Sequence, residues 1–182
     1  MFYAVQCIVM AGGRGTRFGS PTKFLRKVCG ESIIERLLKQ LGSVCSHILV
    51  TLSKYTIAES KSLCNSYEVD CVELSGGGYV EDLTTSLSMC IKPPVLVLAA
   101  DIVARNSIVI AKFVKRALAE HASVVTAVVN KGNGVEHAVG LSLFKALGGG
   151  AWTNIALLPS LIMDVDDVED LEYAEKVCTS DA

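Results

Sequence analysis

Between Ala11 and Leu25 the chain reads Ala11-Gly-Gly-Arg-Gly-Thr-Arg-Phe-Gly-Ser-Pro-Thr-Lys-Phe-Leu25. Gly12, Gly13, Gly15 and Gly19 let a backbone turn tightly and aim several N–H groups at one anion. Arg14, Arg17 and Lys23 add mobile positive charge to the same loop. From Arg14 to Lys27 there are five basic residues (Arg14, Arg17, Lys23, Arg26, Lys27) and no acidic one, a concentration that repels itself unless an anion faces it. Ala11, Gly12, Gly13, Arg14, Gly15, Thr16 and Arg17, together with Lys23, are therefore the expected cradle for a triphosphate. The plain alternative is a strand-to-helix turn with solvated arginines.

Carboxylates come next. Val95-Leu-Val-Leu-Ala-Ala-Asp101 is an apolar strand that delivers an acid at its C-terminal end, where open α/β sheets bind ligands. A hard divalent ion bridging phosphate oxygens would use such a ligand, whereas the structural alternative has Asp101 capping the Ser107 helix. Near the end of the chain, seven acids (Asp164, Asp166, Asp167, Glu169, Asp170, Glu172, Glu175) fall within twelve residues. Asp164 and Asp166 share one side of an extended strand, while Asp166 or Asp167 could equally cap a last helix, with Glu169 and Asp170 in its first turn.

A second glycine loop, Ser75, Gly76, Gly77 and Gly78, precedes a helix and would let backbone approach a flat base. Glu81 or Asp82 could accept hydrogen bonds from guanine N1–H and the exocyclic amine, donors that adenine lacks, or simply complement the helix N-terminus. Other chemistries fail on spacing. Gly13-Arg-Gly15-Thr-Arg-Phe18 lacks the last glycine of a dinucleotide fingerprint, Thr51-Leu-Ser53 lacks the ribose carboxylate, and G-K-[ST] and G-x-S-x-G occur nowhere. His121 and His137 have no partners at ligand spacing, and Trp152 is expected to pack or to act as a lid contact rather than to stack on a cofactor.

These residues need a scaffold, and the apolar pattern supplies one. Strands are expected at Ala4–Met10, His47–Leu52, Val69–Leu74, Val95–Ala99, Val124–Val129 and Val139–Phe144. Helices are expected at Ser32–Leu41, Ile57–Asn65, Val80–Ile91, Ser107–Glu120 and Val168–Cys178, the last with Leu171, Ala174 and Cys178 on its apolar face. Strands apolar at every position belong in a sheet covered on both sides, so the fold class is α/β, a doubly wound, mostly parallel sheet with helices on both faces. With 182 residues, 51% of them hydrophobic and 20% charged, and a mean hydropathy of +0.43, the chain is expected to be one domain of residues 1–182.

The uncharged stretch Ala146–Met163 is broken by Gly148-Gly-Gly150, Thr153-Asn154 and Pro159-Ser160, so no membrane span is expected. Met1–Met10 has no basic leader region and runs into a glycine loop, which points to the cytoplasm. Seven cysteines, an odd number without a C-x-x-C pair, suggest buried thiols rather than disulfides or zinc. A net charge of −2 and a pI near 5.9 offer no general attraction to nucleic acid or membrane.

Met10-Ala-Gly-Gly-Arg-Gly-Thr-Arg-Phe-Gly19 followed by Thr22-Lys-Phe-Leu25 resembles the signature of the nucleotidyltransferase family. That family joins an NTP to a phosphate or phospho-sugar on a Rossmann-like sheet and releases pyrophosphate. Within it, Ser75–Leu83, Ala100-Asp101, Asp164–Leu171 and, more weakly, Ala138–Leu143 are most similar to the archaeal branch that guanylylates a corrinoid phosphate during cobalamin assembly. The resemblance implies GTP and a phosphorylated small-molecule acceptor, a corrinoid, as substrates, with Mg2+ or another divalent cation as cofactor. It implies Arg17, Lys23 and Asp101 as catalytic residues, Asp101 and Asp166 as metal ligands, and suggests a homodimer. Molybdopterin or another phosphorylated acceptor, and a nucleotide-binding regulator without turnover, stay open beside it.

Overall fold

A computed structural model describes residues 5–90, 92–132, 134–148 and 150–179. Met1–Ala4, Ile91, Gly149 and the side chain of Cys178, all of which entered the expectations above, lie outside the described residues. The elements run β1 (Val5–Met10), a 3-10 turn (Lys23–Leu25), β2 (Lys27–Val28), β3 (Glu31–Ser32), α1 (Ile33–Leu41), β4 (Cys45–Ser53), α2 (Ile57–Ser66) and β5 (Asp70–Leu74). Then follow α3 (Tyr79–Met89), β6 (Val95–Ala99), β7 (Ile102–Ala104), α4 (Ser107–Ala119), β8 (Val124–Asn130), β9 (Glu136–Phe144), β10 (Trp152–Leu157), β11 (Ile162–Asp164) and α5 (Val168–Thr179).

Seven strands form one sheet in the order β10-β8-β9-β6-β1-β4-β5. β1, β4, β5 and β6 run parallel, β9 is antiparallel to both β6 and β8, and β10 pairs parallel with β8. The chain winds outward from β1 to β4 and β5, then crosses back to place β6 on the other side of β1. Between β1 and β6 lies the switch point at which such sheets open a crevice beyond the strand ends.

Burial explains the hydrophobic composition. Val95, Leu96, Val97 and Leu98 are all buried, because one face of the sheet packs on α1, α2 and α4 and the other on α3. Ile34, Leu37, Leu38 and Leu41 of α1 join Ile110, Phe113, Val114 and Ala117 of α4 over alternate residues of β1, β6, β8 and β9. α1 begins where expected because Ser32 caps it. The Ser32 hydroxyl accepts from Glu35 N–H, and the Glu35 carboxylate accepts from Ser32 N–H and Oγ. Those bonds hold the Glu35 carboxyl below its ordinary range.

The expectation of free thiols is corrected at four cysteines. Cys7 and Cys45 form one disulfide and Cys64 and Cys71 another, each with Cα atoms 5.9 Å apart. Sequence spacing hid the first bridge, since it is the β1–β4 pairing, with a register shift beside Val5, that brings Cys7 to Cys45. The second bridge closes where α2 turns back into β5. Among the described residues, no helix is long and apolar enough to cross a membrane. Trp152, expected to pack or to cover a ligand, lies exposed on β10 and donates its N–H to Thr126 Oγ1 at 3.1 Å.

Candidate active site

β1 and its neighbours hold the start of the glycine loop. Ala11 N–H donates to Thr51 O at 2.8 Å, Ala100 N–H donates to Met10 O at 3.0 Å, and the Ser53 hydroxyl donates to Gly12 O at 2.8 Å. The loop can then double back because Gly15 has φ +59°, and a Cβ there would lie 1.8 Å from Ser20 O. Ser20 N–H donates to Gly15 O at 3.1 Å and closes the turn. Arg14 rests its guanidinium 5.1 Å from the centre of the Tyr55 ring.

This loop walls a cavity of about 360 Å3 at the C-terminal edge of the sheet. That volume lies within the range of small-molecule sites. Ala11 through Arg17, Lys23, Gly76, Gly77, Gly78, Asp82 and Asp101 line it, so the structure gathers most of the residues singled out by sequence into one place. Met10, Pro21, Phe24, Thr51, Tyr79, Ala99 and Ala100 also line it but were not named as site residues. Tyr79 could have been, since it follows Gly78 directly.

Ser75 and Glu81 stand outside the lining. Ser75 Oγ donates to Glu81 Oε1 at 2.7 Å and lies 3.2 Å from Asp82 Oδ1, which also accepts from Gly76 N–H at 3.3 Å. The acids of α3 thus brace the second glycine loop. Asp82, although it borders the cavity, is buried and has one oxygen committed to that brace.

The second half of the chain reaches the cavity through a device too short to read in sequence. β7 follows Asp101 directly and pairs antiparallel with β11, with Ile102 opposite Asp164. Val165 N–H donates to Asp101 O at 3.1 Å, so the acidic segment is carried to the end of β6. There the Lys23 ammonium lies 2.6 Å from Asp101 Oδ2 and 3.2 Å from Asp166 Oδ1, and donates to Val165 O at 2.8 Å. Burial lowers the Lys23 pKa, but Asp101 first and then Asp166 outweigh it, and the net shift is upward. Arg17 reaches the other oxygen of Asp166 at 2.5 Å.

The structure also separates the competing roles of the acidic segment. Asp167 Oδ1 accepts from Asp170 N–H at 2.9 Å and caps α5, while Asp170 Oδ2 accepts from Asp166 N–H at 2.9 Å. Asp166 is thereby left to face Lys23 and Arg17. At the other helix in question, Asn106 caps α4 through Val109 N–H, not Asp101. Asp164, expected on the same side as Asp166, lies 3.8 Å from the Lys131 ammonium. Its Oδ1 is buried without a hydrogen-bond partner, and burial, with Asp166 and Asp101 nearby, pushes its carboxyl pKa up against the pull of Lys131.

Among the described residues, no group of three or more His, Cys, Asp or Glu side chains is gathered as a ligand set. Asp101 and Asp166 do converge on one cation, the Lys23 ammonium. Two hard carboxylate oxygens held around a single positive charge fit the donor chemistry of Mg2+.

The sequence profile of the MobA-like NTP transferase domain matches residues 7–154. Adenosylcobinamide-phosphate guanylyltransferase of Methanocaldococcus jannaschii is 25% identical over 196 aligned residues, covering 97% of this chain and 99% of that protein. HddC of Yersinia pseudotuberculosis, solved with GMP-PN, superposes with a TM-score of 0.72 at 14% identity, covering 98% of this chain and 100% of the other. The inositol-1-phosphate CTP transferase of T. maritima gives a TM-score of 0.71 at 11% identity, covering 96% of each chain. Those two solved structures share the mostly parallel sheet with its flanking helices.

Proposed function

This chain belongs to the MobA-like NTP transferase domain family and is a nucleotidyltransferase, and from that premise we propose that it transfers GMP from GTP to adenosylcobinamide phosphate. The products are adenosylcobinamide-GDP and pyrophosphate. The observation that carries the reading is the Lys23 clamp. One ammonium, lining the cavity that the loop walls, ties the loop to Asp101 at the end of β6 and to Asp166 beyond β11. The near full-length likeness to the M. jannaschii enzyme supports guanine and the corrinoid acceptor.

In the proposed reaction an oxygen of the acceptor phosphate attacks the α-phosphorus of GTP. A new P–O bond forms, the bond to the bridging oxygen of the β-phosphate breaks, and that oxygen leaves with the electron pair as pyrophosphate. The attacking oxygen is already ionised, so no strong base is required, and catalysis reduces to positioning and charge neutralisation. Loop amides from Gly12 to Gly15 and the side chains of Arg14, Arg17 and Lys23 take the triphosphate. Asp101 and Asp166 would hold Mg2+, which supplies charge neutralisation at the phosphate oxygens when bound. Asp101→Asn is expected to lower pyrophosphate release by orders of magnitude without unfolding the chain, and near-normal release from a folded variant would overturn the assignment.

GTP chemistry of this kind supports a cytoplasmic protein.

A further inference from the structure

Triphosphate binding accounts for Arg14, Arg17 and Lys23, but a fourth cation reaches the acidic segment, at Asp164 and Asp170. Lys131 opens the loop between β8 and β9. β9 is antiparallel to both β6 and β8, so Asp101 after β6 and Lys131 after β8 leave the sheet at the same edge. In the strand order, β9 and β8 lie on the far side of β6 from β1 and its glycine loop. The base of the loop is fixed, because Asn130 Oδ1 accepts from Gly132 N–H at 2.9 Å and from Gly134 N–H at 3.2 Å.

The lysine itself is held loosely. Its ammonium stands 3.6 Å from Asp170 Oδ1 and 3.8 Å from Asp164 Oδ1, and its side chain is 41% exposed. Both separations exceed hydrogen-bond reach, and ion pairs of such exposure are exchanged at little cost. Lys23, in contrast, makes a 2.6 Å contact and is almost covered.

We infer that Lys131 receives the phosphate of the acceptor. The inference rests on the transferase reading above. In-line displacement puts the attacking oxygen opposite the leaving pyrophosphate. With the pyrophosphate along the glycine loop, the acceptor must arrive from the β9 and β8 side, past Asp101, Asp164 and Asp166. Lys23 and Arg17 offset Asp101 and Asp166, but Asp164 and Asp170 would still repel an incoming phosphate dianion, so a further cation has to offset them there. Lys131 is placed to do so: its flexible stem swings the ammonium from Asp170 and Asp164 to the phosphate oxygens. Asp170 keeps its bond from Asp166 N–H through Oδ2, and Asp167 still caps α5 through Asp170 N–H, so neither is lost in the exchange. A lysine acts on phosphate as a point charge and tolerates acceptors of different shape.

The test compares wild type, Lys131→Met and Lys131→Arg in pyrophosphate release, varying adenosylcobinamide phosphate at saturating GTP and then the reverse. Loss of a charge-assisted contact is expected to raise the acceptor KM of Lys131→Met about 10- to 100-fold, with the GTP KM within about twofold and substantial recovery in Lys131→Arg. An unchanged acceptor KM, or an equal rise in both KM values, would overturn the inference. If wild type makes no product from the corrinoid, the proposed acceptor falls, and Lys131 is judged separately. Inorganic phosphate is then titrated calorimetrically into protein saturated with Mg2+ and an α,β-methylene analogue of GTP. Binding by wild type that is lost in Lys131→Met supports the role, whereas equal binding, or none by wild type, overturns it.

Discussion

Lys23→Met removes the charge at the centre of the site while keeping most of the side-chain volume. In the native chain this ammonium contacts Asp101 at 2.6 Å, Val165 O at 2.8 Å and Asp166 at 3.2 Å, with only 13% of the side chain exposed. Removing one partner of a fully buried ion pair costs about 3–5 kcal/mol. Asp101 and Asp166 are 18% and 24% exposed and can rehydrate, which reduces the expected loss to about 2–3 kcal/mol. For a chain of this size that corresponds to a fall in Tm of about 4–12 °C. The sign of the pH dependence follows from the raised Lys23 pKa. The stabilisation is fully present below the ordinary lysine value of 10.5 and is lost as pH rises through the higher folded value, so the gap persists throughout the neutral range.

The same geometry predicts what restores the variant. With its ammonium gone, the two facing carboxylates bind Mg2+ more tightly than in wild type, and at tenfold excess over Kd the ion returns about 1.4 kcal/mol. Differential scanning calorimetry with and without MgCl2, on both proteins without nucleotide, reads both effects. An unchanged Tm for Lys23→Met, or an equal response of the two proteins to Mg2+, would refute the idea that Lys23 holds a cation position between Asp101 and Asp166.

Two glycines of the first loop should separate by assay. Gly15→Ala forces a Cβ into Ser20 O and Pro21 Cα at a φ of +59°, costing upward of about 1–2 kcal/mol, and is expected to lower both Tm and GTP affinity. Gly13→Ala meets nothing within 4 Å, so it should leave Tm intact and weaken GTP only if backbone approaches the phosphates there, as calorimetric titration would show. The Cys7–Cys45 bridge closes a separation of 38 residues, and the double alanine variant is expected to lose up to about 4 kcal/mol in denaturant unfolding. Intact-mass counting after alkylation of the unreduced, denatured chain should leave Cys7, Cys45, Cys64 and Cys71 unlabelled, and labelling at these positions would contradict both bridges.

Much of this was legible in the residues because the signals were local. Val95–Ala99 could be read as a covered strand since every position is apolar, and α1 since Ser32 and Glu35 sit at capping spacing ahead of a helical stripe. Ala11–Arg17 and Lys23 suggested a phosphate-binding loop because glycine freedom and positive charge coincide within a few residues, and the structure gathers them around one cavity. What stayed hidden depends on contacts distant in sequence. β7 and β11 have three residues each and form only by pairing with one another, so the path by which Asp166 reaches Asp101 left no periodic trace. The two disulfides depend on strand register and helix return in the same way. Glu81, expected to accept from guanine or to complement the start of α3, accepts from the Ser75 hydroxyl, a contact set by the loop's fold and invisible in the spacing. The net charge of −2 likewise conceals a basic loop and an acidic segment that fold onto each other.

Incubation of the protein with GTP, Mg2+ and adenosylcobinamide phosphate, with the products weighed by mass spectrometry, tests guanylyl transfer outright. Pyrophosphate release that requires the acceptor is expected, together with a corrinoid heavier by one GMP. GTP that binds but yields no pyrophosphate with this or any other phosphorylated acceptor would contradict it.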